Sequence, residues 1–198
     1  MNRMAAALEH AGYRVRNFAY PSLRKPMAAI VELLSAEIRH HCREGEKICF
    51  VGHSLGGLVV RAYAQSKGCE RVGRVVMLAT PNGGSEVVDR LRSYRWLRPA
   101  LGPVAGLLGT TAGDLPAMLG PVAFEVGIIA GSASINPWFS NMIHGPDDGM
   151  VAVERTKVTG MADFIVLPRN HTFMMNAADV QRQTIGFLRD GRFEKPPI

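Results

Sequence analysis

The chain has 198 residues and a formal net charge of +6, with a pI near 9.6. Its 47% hydrophobic and 20% charged residues are ordinary for a folded domain, and a chain of this length buries roughly 70% of the surface it exposes when unfolded. No apolar run approaches the ~20 residues a membrane-spanning helix needs, and Met1–Ala11 has no secretory core, so a single cytoplasmic domain over residues 1–198 is expected.

The chain opens in a helical pattern, with Met4, Leu8 and Ala11 on one stripe and Gly12 as its stop. A strand is expected over Tyr13–Phe18, then a helix from about Met27 to Cys42 whose apolar stripe is Ile30, Leu33, Leu34 and Ile38. Ile48–Val51 reads as a buried strand, with Cys49 packed inside it, and Leu55–Ser66 as an amphipathic helix with Leu55, Leu58, Val59 and Ala62 on one stripe. Arg74–Leu78 is the next strand. The Gly-, Pro- and Leu-rich stretch 85–125 follows, with short helical pieces such as Val104–Leu108. Strands at Val126–Ala130 and Phe164–Leu167 flank a short segment near Val151–Val153. A final helix, Ala178–Arg189, ends at Gly191, and the Lys195-Pro196-Pro197 tail reads as disordered. Near-continuous apolar strands alternating with helices indicate an α/β fold with a mostly parallel sheet flanked by helices.

Between the Ile48–Val51 strand and the following helix stands Gly52-His53-Ser54-Leu55-Gly56-Gly57. A G-x-S-x-G at a strand-to-helix turn lifts the serine to the tip of a sharp bend, which its glycines permit. The plain alternative is a glycine turn that only packs strand against helix; the strand before it and the helix after it favour Ser54 as a nucleophile. Such a serine needs a base, and the base an orienting acid. Of the six histidines, His10, His40, His41 and His53 precede Ser54. His171 follows a strand and the Pro168-Arg169-Asn170 turn, whereas His144 precedes the best acids. Asp148, in Gly145-Pro146-Asp147-Asp148-Gly149, is the favoured acid. Asp147 is the near competitor and Asp89 a distant one, and a polar turn is the plain alternative for both Asp147 and Asp148. The glycines lack G-x-G-x-x-G or Walker spacing, so no nucleotide site is expected. No cofactor and no metal are called for.

G-H-S-L-G-G-L-V-V-R, L-A-T-P-N-G-G-S-E, G-P-D-D-G-M-V and N-H-T-F-M-M together resemble bacterial serine esterases and lipases of the α/β-hydrolase superfamily, from about Met4 to Phe193. The resemblance implies the α/β-hydrolase fold, the order Ser, acid, His, an oxyanion donor in the N–H of Leu55, the residue after the nucleophile, and ester cleavage through an acyl-enzyme. It also implies a small cap after the sixth strand of that fold, over about 85–125. Trp96, Leu97, Leu101, Leu107 and Leu108 would line its apolar pocket for a small-molecule or lipid ester. One departure stands out, because no His-Gly turn precedes the elbow. By analogy Tyr13–Phe18 is the fourth strand, and the strand that belongs between it and Ser54 is missing. The expectation is therefore an N-terminally truncated fold with a weakened oxyanion hole, a loss of on the order of 10²–10³ in rate. Acyl transfer by the same residues, or a catalytically impaired binding module, are the rival readings.

The basic residues are mostly scattered, with one dense cluster at Arg90, Arg92, Arg95 and Arg98. No nucleic-acid fold signature accompanies it, so no nucleic-acid partner is expected. A solvated helix face is its plain reading. An amphipathic lid making peripheral membrane contact is the sharper one. Cys42, Cys49 and Cys69 are odd in number and lack metal spacing, which points to a reducing compartment rather than a disulfide scaffold.

Overall fold

A computed structural model describes residues 1–96 and 98–195. Among the described residues four strands, β1 (Ile48–His53), β2 (Val72–Leu78), β3 (Val126–Gly131) and β4 (Asp163–Leu167), form one parallel sheet in the order β1-β2-β3-β4. Parallel strands need crossovers, and helices supply them: α1 (Asn2–His10) and α2 (Met27–His41) precede the sheet, and α3 (Leu55–Lys67) joins β1 to β2. Between β2 and β3 lie α4 (Glu86–Ser93), α5 (Arg98–Ala105) and α6 (Leu115–Met118). One-turn helices α7 (Pro137–Ser140) and α8 (Val153–Thr156) lie between β3 and β4, and α9 (Ala178–Asp190) closes the chain.

The period-2 alternation of the strands divides their side chains between two cores. On one face Val75, Met77, Val126 and Ile128 pack with Ile30, Leu34 and Ile38 of α2 and with Val59 and Tyr63 of α3. On the other, Val76, Leu78 and Ile129 pack with Met4 and Leu8 of α1 and with Val180 and Phe187 of α9. The molecule is thus a three-layer α/β/α stack. The register aligns His53 with Leu78, Leu78 with Ile129, and Gly131 with Leu167. The strands therefore end along one edge, where an open parallel sheet carries its chemistry.

Several sequence expectations change. Residues 13–20 form no strand. They have no ladder partner, and are held instead by Arg14–Glu46 and Arg16–Glu37 ion pairs and by Phe18 and Tyr20 packing on the first core. Among the described residues β1 pairs only with β2 and is an edge strand, and Cys49 is exposed, not packed inside. In α2 the buried stripe includes Val31, while Leu33 faces outward. The helical piece near Val104 is the second half of α5, which breaks at Gly102. Val151–Val153 forms a single bridge residue, Ala152 against Asp147, and then opens α8. α9 ends as expected, on Gly191 in the left-handed conformation. Of the tail, Lys195 is anchored to Asp163, and Pro196 and Pro197 lie outside the described residues. Among the described residues no helix is long and apolar enough to cross a membrane.

Within the 85–125 stretch, Leu108 is buried against Leu58 and Val88, a cluster that Leu55 also joins. Leu101 and Leu107 border a cavity of about 310 Å³ with Arg92, Gly102, Pro103 and Gly106. Trp96 is 77% exposed and lines no core, and Leu97 lies outside the described residues. The basic cluster is not one free face. Arg92 pairs with Asp89 and with the buried Asp114, whereas Arg90 lies over the Tyr94 ring.

Candidate active site

Ser54 sits between β1 and α3 with φ 52 and ψ −121. A β-carbon disfavours this left-handed conformation, and the surroundings must hold it. They do so by close approach. The Ser54 N–H donates to the Leu78 carbonyl, continuing the β1–β2 ladder into the bend. A β-carbon on Gly52 would stand 2.6 Å from the Gly57 nitrogen, and one on Gly57 would overlap the Thr80 side chain. Only glycine fits either place. Leu55 is the first residue of α3, so its N–H has no acceptor within the helix and points out of the helix end.

His171 lies in the loop after β4, and Asp148 in the loop after β3. The three expected residues meet. His171 Nε2 is 3.0 Å from Ser54 Oγ, and His171 Nδ1 is 2.8 Å from Asp148 Oδ2. The Asp148 side chain is fully enclosed and that of His171 is 12% exposed. The second carboxylate oxygen, Oδ1, accepts from the Met150 and Val151 amides at 3.0 and 2.8 Å, so the buried acid is satisfied on both sides. Because a carboxylate only accepts, Nδ1 carries the ring proton and Nε2 offers its lone pair to the serine. The His171 main chain is held as well, its N–H donating to the Asp148 carbonyl at 2.9 Å.

The other candidates are placed elsewhere. Asp147 accepts from Ser140 Oγ and the Gly149 amide, which is turn chemistry. Asp89 binds Thr110 and Arg92, and His144 is exposed. Two residues that sequence reasoning passed over stand close to the elbow. His53, the variable position of the motif, donates from Nε2 to the His171 carbonyl at 2.8 Å, with the two rings 4.9 Å apart. Burial, and then the neighbouring His171 ring, push its pKa down to about 4. Arg61, seven residues after Ser54 on α3, is 4% exposed and donates to carbonyls of Asn82, Pro116 and Gly120. It ties α3 to the segment between β2 and β3, and burial pushes its pKa down to about 10. A charged residue at helical spacing among apolar ones was the only available signal for it.

A hydroxyl, an imidazole and a buried carboxylate in unbroken hydrogen-bonded sequence can move a proton from oxygen to nitrogen and stabilise the resulting imidazolium.

Solved structures of similar fold include a lipase of Bacillus licheniformis in its mature form, at 19% identity over 83% of this chain and 75% of that one, with a TM-score of 0.63. A Legionella pneumophila phospholipase in complex with thio-NAD is similar at 18% identity over 93% of this chain, with a TM-score of 0.69; the chain spans 51% of that protein's length. A Bacillus anthracis bromoperoxidase is similar at 18% identity over 96% of this chain and 86% of that one, with a TM-score of 0.62. Among curated proteins none matches. The model of the alpha/beta hydrolase family matches residues 2–184, and the chain belongs to that family.

Proposed function

We propose that the protein is a serine hydrolase that cleaves carboxylic esters through an acyl-enzyme. The observation that carries this reading is the continuous contact from Asp148 through His171 to Ser54 on a strained elbow. Ser54 Oγ attacks the ester carbonyl carbon as His171 Nε2 takes its proton. The tetrahedral oxyanion forms beside the Leu55 N–H, and Asp148 holds the imidazolium through Nδ1–H. Collapse expels the alkoxide, which takes the proton from His171 and leaves as alcohol. Water then attacks the acyl-enzyme carbonyl as His171 takes a proton from it; the second tetrahedral intermediate collapses with release of the carboxylic acid, and His171 returns the proton to Ser54 Oγ.

The segment 85–125 acts in this reading as a cap over the site. In support, Leu108 shares its apolar cluster with Leu55 and Leu58 of the elbow helix, which suits the acyl part of a small-molecule or lipid ester. Labelling with a fluorophosphonate probe, alongside a screen of p-nitrophenyl esters, tests the proposal. The chain should label and hydrolyse a short ester, and Ser54→Ala should do neither, with a loss of at least about 10³ in kcat. A folded chain that stays unlabelled, or labelling that survives in Ser54→Ala, overturns it.

A further inference from the structure

We propose that His53 is a positioning residue, which by its Nε2–H···O=C bond to His171 holds the base loop in register with Ser54. The inference rests on the reading of Ser54, Asp148 and His171 given above. The loop that carries His171 lies beyond the last paired residue of β4, Leu167, and the ring is useful only if Nε2 stays within hydrogen-bonding reach of Ser54 Oγ. The Asp148 carbonyl fixes the residue's N–H at 2.9 Å, and His53 Nε2 fixes its C=O at 2.8 Å. The peptide units on the two sides of the His171 α-carbon are thereby both pinned, one from the β3 loop and one from the end of β1.

His53 suits this task for a reason of connectivity. It is the residue before Ser54, the last of β1, and is paired in register with Leu78. Any shift of the elbow moves His53 and Ser54 together, so the bond across 118 residues of sequence transmits the elbow's position to the base. A carbonyl only accepts, so the proton of the neutral His53 ring is on Nε2. The titratable groups facing this ring are the side chains of His171 and Asp148 and the amino group of Met1. With the His171 ring 4.9 Å away at an interplanar angle of 48°, a cation on His53 would oppose the imidazolium that His171 must become. Burial keeps His53 neutral at ordinary pH.

The test compares His53→Leu, which fills similar space without a donor, with His53→Gln, whose amide N–H reaches a similar point. Leu should lower kcat on a p-nitrophenyl ester by on the order of 10- to 100-fold with KM nearly unchanged, and Gln should restore most of it. Equal kcat in wild type and His53→Leu, or a loss that His53→Gln does not restore, overturns the proposal. A second measurement needs neither activity nor a variant. The ¹⁵N spectrum of the wild-type imidazoles at about pH 6 should show His53 neutral with its proton on Nε2, although a free histidine is largely charged there. A charged ring, or the Nδ1–H tautomer, refutes the inference even where the variants fail to fold. Failure of the wild type to label with fluorophosphonate would instead remove the catalytic reading and leave this contact standing.

Discussion

At the scale of single residues, what separates the histidines of this chain is their surroundings rather than their type. His53 and His171 sit side by side, yet only His171 is tied to a carboxylate. His53 has its pKa lowered from 6.5 to about 4, first by burial. The sign of the consequence follows from proton uptake. Above pH 6.5 both folded and unfolded chains hold this ring neutral; between 6.5 and 4 the unfolded chain takes up a proton that the fold refuses. Stability should therefore fall as pH drops through that window and level off below it, by roughly 3 kcal/mol from this group. Urea midpoints at pH 7 and near pH 4.5, compared between the wild type and His53→Gln, check this, since carboxylate titrations are shared by both. An equal loss in the two proteins would show that His53 is not its source.

At the scale of elements, the strand–elbow–helix unit depends on two glycines that do different work from a third. The three atoms nearest a Gly52 β-carbon are all backbone, at 2.6–2.8 Å, so no side-chain rotation relieves them. Gly52→Ala should cost about 1–3 kcal/mol and displace the elbow. Gly56 is the second residue of α3, and its β-carbon would meet only the Tyr20 hydroxyl at 3.8 Å. Gly56→Ala should therefore be neutral or stabilising by up to about 1 kcal/mol, because alanine is the better helix former. Chemical denaturation with fluorophosphonate labelling of both variants decides, and equal costs would refute the close-approach argument. The same unit explains what was legible. Apolar runs and glycine spacing placed β1, Ser54 and α3 from the residues alone. Tyr13–Phe18 has the same local pattern but is no strand, because a strand is completed by a neighbour and not by its own propensity. Leu33 and Cys49 erred likewise. Their periodicity is right for an element buried on that side, and here those sides face outward.

At the scale of the whole molecule, α9 seals the second core. Phe187 is fully buried and stacks near Phe193, and it packs so closely on β3 that a β-carbon on Gly127 would stand 2.5 Å from its ring. Phe187→Ala should cost about 3–5 kcal/mol, read as a lowered urea midpoint. A cost below about 1 kcal/mol would mean that α9 adds little to the fold. Because α9 also lies against the helical turn Met174–Asn176 just after His171, part of the variant's damage should appear as slower labelling of Ser54.

Local signals were enough to identify the elbow, the alternation of strands and helices, the Gly191 stop, and the chain order in which Ser54, Asp148 and His171 occur. Each of these rests on residues a few positions apart, where periodicity and backbone preference act directly. Tertiary structure alone decided that Asp148 rather than Asp147 faces His171, that Arg61 is enclosed, that Cys49 lies on an open edge, and that His53 reaches the His171 carbonyl. Those outcomes depend on strand register and on which sides of the layers are covered. They bring together atoms from segments up to 118 residues apart, and no local pattern encodes such a pairing.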